Sequence, residues 1–338
     1  MKRFYNIPND AKKRIYADTG EKTNLPAYAV EKDWWIVQTL SIIFEMELGE
    51  HLVFKGGTSL SKSWAIVERF SEDIDLAVDR TFFGFDGELD KKQRTKLRKT
   101  ANSYIFENFY PELQKAFVAK GLAGVKIELE EIKTSDQDPV IISIYYPYVI
   151  VTPEYIQPRI QIEIGCRSLR EPFENRPVIS LIDETYPQVD FAQTSIQIPS
   201  VLSERTFLEK IFLLHEEFQR SKGKIRVDRL SRHLYDIYQI SKTDHSAKAL
   251  ENKILYETIV KHRNSFTHLG GVDYNLHQPQ TIKFIPPEDL LSLWEADYKT
   301  MQEQMIQGNS PEFTKLIDSL KKLNEQINSI SWKLDIEF

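Results

Sequence analysis

Phe54-Lys55-Gly56-Gly57-Thr58-Ser59 and, a short distance on, Ser71-Glu72-Asp73-Ile74-Asp75-Leu76 are the stretches on which the reading of this chain turns. The first reads as a short buried strand, His51 to Phe54, stopped by two glycines and followed by hydroxyl residues able to cap a helix. Glycines let a backbone approach a phosphate closely, and the start of a helix offers free N–H groups. The Gly-x4-Gly-Lys-[Ser/Thr] spacing of a Walker A loop is missing, and a plain strand-to-helix turn uses the same residues. In the second stretch, Asp73 and Asp75 at i and i+2 point to one face of a strand, about 6–7 Å apart. Two carboxylates side by side repel each other, and a divalent cation relieves the repulsion. A solvated edge strand is the alternative for that pair taken alone.

The two stretches stand in a telling order. Fourteen residues separate Thr58 from Asp73, enough for one helix, expected over Ser59 to Glu68. Glycine turn, helix, then a strand carrying Asp-x-Asp is the order of the polymerase-beta-like nucleotidyltransferases, which it resembles. It brings a phosphate cradle beside metal ligands, as phosphoryl transfer requires. Such a site needs a third carboxylate on a neighbouring strand. Arg159-Ile160-Gln161-Ile162-Glu163-Ile164 supplies Glu163, with Gln161 on the same face and the isoleucines on the other. Glu128 and Glu130, on a strand expected over Val125 to Ile132, are rivals.

Outward from this core, Ile36, Leu40 and Ile43 recur at helical spacing after Pro26, in a helix expected to end near Gly49. A polar helix is expected over Glu88 to Lys120, broken at Pro111. Val140 to Tyr146 reads as a further strand, and Pro172, Pro177, Pro187 and Pro199 punctuate a looser stretch. Beyond Pro199 the pattern turns helical: Ser203 to Gln219, Ser231 to Ser241, Ala247 to His262, Pro287 to Gln307 and Ser310 to Ile330. The expected architecture is α+β. A polymerase-beta-like nucleotidyltransferase domain with a mixed sheet spans residues 1–200, and a helical C-terminal domain spans residues 201–338.

Length and composition set limits. The 338 residues are 41% hydrophobic and 28% charged, the mix of an ordinary globular protein, and long enough for two domains. No apolar run reaches the ~20 residues of a membrane helix. No apolar segment of the secretory kind follows Met1-Lys2-Arg3-Phe4-Tyr5-Asn6, and Cys166 is the lone cysteine. A cytoplasmic location is therefore expected, with neither an intrachain disulfide nor a cysteine zinc site. With a formal net charge of -6, any contact with nucleic acid must come from a local patch. Two groups qualify: Lys91, Lys92, Arg94, Lys96, Arg98 and Lys99, and then Lys222, Lys224, Arg226 and Arg229. A solvated helix and a loop are the plain alternatives.

Two charged residues in the helical half need an explanation. Lys210 stands among Phe207, Leu208, Ile211, Phe212, Leu213 and Leu214, and Asp236 among Leu234, Tyr235, Ile237 and Tyr238. A charge on a mostly apolar helix requires a partner or a ligand. A triphosphate would serve Lys210; so would a salt bridge, with Asp236 itself among the candidate partners. Arg232, at i, i+4 from Asp236, can face the same way. His233 and His215 are given no catalytic role, since a lone helical histidine is more often structural.

Taken together, Phe54 to Lys62, Arg69 to Leu76, Arg205-Thr206-Phe207-Leu208-Glu209-Lys210-Ile211 and Ser231-Arg232-His233-Leu234-Tyr235-Asp236-Ile237 are similar to the AbiEii/AbiGii toxin family of nucleotidyltransferases. Glu31-Lys32-Asp33-Trp34 resembles that family's first helix, so the likeness covers about residues 25 to 240. It implies the toxin of a type IV toxin–antitoxin or abortive-infection system, with a nucleotide passing from a nucleoside triphosphate to an acceptor hydroxyl, a tRNA 3′ end among the candidates. Asp73, Asp75 and Glu163 would hold two Mg²⁺ ions. Gly56, Gly57, Thr58, Ser71, Lys210 and Arg232 would bind the nucleotide, and Asp236 would orient Lys210 or the attacking group. A cognate winged-helix antitoxin encoded nearby is an implied partner. On these expectations the strand half supplies metal ligands and the helical half the phosphate-facing lysine. A small-molecule nucleotidyltransferase and a non-catalytic nucleotide-binding module are the competing readings.

Overall fold

The computed structural model describes residues 1–71, 73–152, 157–306 and 308–338, the side chain of Lys222 aside. It divides into two compact units: Met1–Trp64 with Phe70–Val201, and Ala65–Arg69 with Leu202–Phe338. The architecture is α+β, with a mixed sheet in the first unit and helices in the second.

Unit 1 is built on a seven-stranded sheet of order β3-β4-β5-β2-β1-β7-β6. Its strands are β1 (Leu52–Lys55), β2 (Asp73–Val78), β3 (Lys126–Leu129), β4 (Val140–Tyr145), β5 (Arg159–Gly165), β6 (Phe173–Val178) and β7 (Ile196–Val201). The β2/β5 and β1/β7 pairs are parallel and the other four antiparallel. Period-two alternation sorts the faces. Ile74, Leu76, Ile142, Ile144, Ile160, Ile162 and Ile164 are fully buried in one core with the Ala27–Phe44 helix. Each such side chain contributes about 1.5–3 kcal/mol on leaving water. The alternate positions, Asp73, Asp75, Gln161 and Glu163 among them, are half-buried on the opposite face.

The Ala27–Phe44 helix is buried almost all round, so its charged residues are tied down. Glu31 accepts hydrogen bonds from Val149 N–H at 2.8 Å and Ile150 N–H at 3.0 Å. Lys32 donates to the Gln157 carbonyl at 3.1 Å. The two residues thus grip both ends of the connection from β4 to β5. Asp33 accepts from Leu181 N–H at 2.7 Å and pairs with Lys62 at 2.6 Å.

Several local expectations change. The helix after the glycines runs from Gly56 to Lys62, not Ser59 to Glu68. The chain leaves it early because Ala65 takes a left-handed φ of 52°, while the Trp64 indole donates to the Val201 carbonyl at 3.0 Å. Pro111 does not break the polar helix. Lys91–Tyr104 and Tyr110–Ala119 are joined by a π-helical turn, Ile105–Phe109, in which Tyr110 N–H reaches back five residues to the Ile105 carbonyl. Pro111 then falls in the first turn of the next helix, where its missing N–H costs little. The proline-punctuated stretch holds β6 and β7. Pro177 lies on β6, the edge strand, and Pro199 lies on β7, whose pairing with β1 is confined to Phe54 and Ser200. Prolines are tolerated where the ladder is short or open.

Unit 2 packs the helix Ser203–Phe218 against Ser231–Ser241, Asp244–Glu251 and Lys253–His262. Leu291–Gln304 and Phe313–Asn328 cover Ser231–Ser241. The helix expected over Ala247 to His262 is two helices. Asn252 leaves the helical region and its side chain accepts from Leu255 N–H at 2.9 Å, capping the second one.

Candidate functional site

In unit 1 the glycine turn and the acidic strand are fastened together. Lys55 and Asp75 are register partners on β1 and β2. Gly56, at φ 79°, packs so tightly that a Cβ would collide with the Asp75 carboxylate, so no other residue fits there without a shift. Thr58, almost wholly buried, donates its hydroxyl to the Asp73 carbonyl at 2.5 Å. Gly57 lies between these two contacts. Ser71 is half-buried just before β2. Glu72 lies outside the described residues.

The parallel pairing of β2 with β5 sets Asp75 against Glu163 and Asp73 against Gln161. The three carboxylate residues therefore share one face of two adjacent strands, whose backbones lie about 4.8 Å apart. The rivals are elsewhere. Glu128, on β3, pairs in register with Ser143 on β4, and both β4 and β5 stand between its strand and β2. Glu130, just beyond β3, accepts from Ser143, Arg159 and Gln161 at 2.9–3.1 Å. Among the described residues, no three His, Cys, Asp or Glu side chains converge closely enough to hold an ion as their rotamers stand. The donor set fits a hard divalent cation by chemistry and by backbone register, oxygen ligands on one sheet face.

Unit 2 contains a second polar cluster. Lys210 lies on the Ser203–Phe218 helix, and Arg232, His233 and Asp236 on Ser231–Ser241. Asp236 is fully buried and saturated: Arg69 reaches it with two hydrogen bonds, 2.7 and 2.8 Å, and Lys210 pairs at 2.9 Å. Burial alone would raise the Asp236 pKa; the two cations overcome that and hold the carboxyl well below the usual range. Lys210 is pushed down, first by burial and then by repulsion from Arg69 and Arg232, although Asp236 pulls the other way. His233 is driven well below its ordinary value by desolvation and by Lys210 and Arg232. Its ring is neutral, so Nδ1 can accept from the Lys210 ammonium, 3.3 Å away. The Arg232 Nε is buried without a hydrogen-bond partner among the described residues.

Sequence reasoning did not assign Arg69, although it heads the acidic block. Its partner is 167 residues away, and nothing local announces that pairing. The five residues Ala65–Arg69 leave the strand unit to join the helices, and Arg69 bridges to Ile306 there. The salt bridge open to Lys210 at the sequence level is present, shared with a second cation. Of the second basic group, Arg226 is committed to Glu217 at 2.7 Å.

A family model described as the nucleotidyl transferase AbiEii toxin of type IV toxin–antitoxin systems matches residues 39–330. The chain belongs to the AbiEii family. It is accordingly a nucleotidyltransferase, and membership implies a nucleoside triphosphate substrate and an antitoxin partner. A comparison with curated proteins gives no match. No described helix is long and apolar enough to cross a membrane.

Proposed function

We propose that this AbiEii-family protein is a magnesium-dependent toxin of the cytoplasm. It would transfer a nucleotide from a nucleoside triphosphate to an RNA 3′ hydroxyl of the tRNA kind and be opposed by a winged-helix antitoxin encoded nearby. The observation that carries the reading is the β2/β5 register, with Asp75 opposite Glu163 and Asp73 two residues before it. We assign Asp73, Asp75 and Glu163 to two Mg²⁺ ions. When bound, such ions neutralise phosphate charge and favour attack by a hydroxyl on the α-phosphorus, with pyrophosphate leaving.

The chain's own groups have separable tasks. We assign Gly56 and Gly57 to the phosphates; the missing side chain at Gly56 lets the turn lie against the Asp75 carboxylate, and the Thr58 hydroxyl fixes that turn to the acidic strand. Ser71 is assigned to the nucleotide as a hydroxyl donor. In unit 2 we assign Lys210 and Arg232 to the triphosphate and Asp236 to orienting Lys210. The two arginines there already outnumber the single carboxylate, so the cluster carries a positive excess that an anion would relieve.

The test is incorporation of labelled triphosphates with total tRNA, or with small hydroxyl compounds, as acceptor. Asp73→Ala and Asp75→Ala, each with native circular dichroism, are expected to abolish incorporation, as is chelation of magnesium. Activity surviving in both variants would overturn the reading. Transfer to small compounds with none to RNA would replace the acceptor.

A further inference from the structure

The Lys91–Tyr104 helix carries six basic residues and no acidic one, in a chain whose net charge is -6. The structure divides those six. The arginines face inward: Arg94 donates to the Leu89 carbonyl at 2.9 Å, and Arg98 pairs with Asp136 at 2.8 Å. Leu97 and Ala101 are buried beside them. The lysines face outward: Lys91, Lys92, Lys96 and Lys99 are exposed, with no side-chain partner among the described residues. Lys92, Lys96 and Lys99 stand at i, i+4 and i+7, one stripe along the helix. Asp90 and Gln93 form a reciprocal capping box that holds the helix start in place.

That stripe leads to an aromatic cavity. The helix continues through the π turn, and Phe106 stands about 10 Å beyond Lys99 along the same run. Phe106 is 56% exposed, so its ring is open to a partner. It lines a cavity of about 650 Å³ with Tyr110, Tyr145, Glu128, Glu130 and Ser143. Tyr110 is locked by its hydroxyl's 3.0 Å bond to the Ile127 carbonyl. The cavity belongs to unit 1 and draws residues from β3 and β4, of which β4 adjoins β5 in the sheet.

We propose that the lysine stripe and this aromatic cavity form a docking surface for single-stranded RNA, the backbone following Lys92, Lys96 and Lys99 and a base entering beside Phe106. The proposal rests on the reading of the acceptor as RNA. Unpaired lysines in a row complement a polyphosphate strand, and aromatic faces stack bases with little sequence preference. Glu128, Glu130 and Glu131 line the cavity and disfavour phosphate inside it; Glu128 is paired with Lys126 and Glu130 with Arg159, which leaves Glu131 as the acceptor for a base amino group.

The experiment measures binding of a labelled single-stranded oligoadenylate to the full-length protein across a salt series, with a polyglutamate peptide as competitor. In the triple variant Lys92→Ala/Lys96→Ala/Lys99→Ala, the slope of log K against log salt is expected to become about 2 less negative, at ~0.7 per phosphate contact in single strands. Phe106→Ala is expected to weaken binding about tenfold with the slope unchanged. Both variants alter exposed side chains, and both are expected to keep wild-type transfer to any small acceptor. An unchanged affinity and slope in the triple variant would overturn the proposal, as would polyglutamate binding in place of RNA. Because the readout is binding, it is separable from the catalytic reading. Salt-dependent RNA binding without nucleotide transfer leaves the surface standing and sinks the site; transfer to small acceptors without RNA binding does the reverse.

Discussion

Two acidic environments occur in this molecule, and they are opposites. Asp236 in unit 2 is buried, holds three short contacts from two cations and is kept ionised by them. Asp75 in unit 1 is half-buried, lies on a sheet face beside Glu163, and has no hydrogen bond or ion pair among the described residues. A carboxylate whose acceptor capacity is already filled positions its partners. One left open beside another acid is free to take a cation. On the proposed reading, Asp236 positions its partners and Asp75 receives a ligand.

The contrast can be broken by paired neutralisation. Asp75→Asn is expected to lower nucleotide transfer by about 10³-fold, the several kcal/mol that a metal-held charge supplies, with unfolding stability unchanged or raised. Asp236→Asn is expected to cost about 3–5 kcal/mol in urea unfolding, because Arg69 and Lys210 would be left buried against a neutral amide. Should both variants lose stability alike, the proposed division fails.

A third carboxylate sharpens the comparison through pH. Burial pushes the Glu31 carboxyl up to about 7 from its ordinary 4.5, against the pull of the Val149 and Ile150 N–H groups. The folded chain then keeps a proton that the unfolded chain has lost, so stability falls as pH rises from about 4.5 to about 7 and levels off above. Glu31→Gln should remove about 3 kcal/mol of that dependence, visible as a flatter unfolding midpoint between those pH values. The smallest expected effect is at the glycine turn. Thr58→Val removes one hydroxyl bond to the Asp73 carbonyl and should cost about 1 kcal/mol. Its activity loss should exceed its stability loss if the turn positions the acidic strand.

Much of the fold was legible because period two is a local property. Ile74 and Leu76, and Ile160 to Ile164, alternate with acids and glutamine, and the faces sorted as that alternation requires. Strands β6 and β7 escaped notice because their prolines signal loops, and only their places in the sheet make those prolines tolerable. The early end of the Gly56–Lys62 helix was hidden for a similar reason: Trp64 and Ala65 are acceptable helix residues until the Val201 carbonyl draws the indole away. Glu163, Glu128 and Glu130 all stand on expected strands, and which of them lies beside Asp75 depends on the strand order.

What the sequence determined by itself was the family, the α+β class and the residue types able to bind metal and phosphate. Each is written in short motifs and local periodicity. What only the tertiary structure decided was adjacency. Asp75 meets Glu163 because β5 lies parallel beside β2, Arg69 meets Asp236 across 167 residues, and the arginines of the basic helix turn inward while its lysines stay in water. Register and ion pairing are settled by packing between segments distant in sequence, where burial and charge compensation act together, and no window of local sequence carries that information.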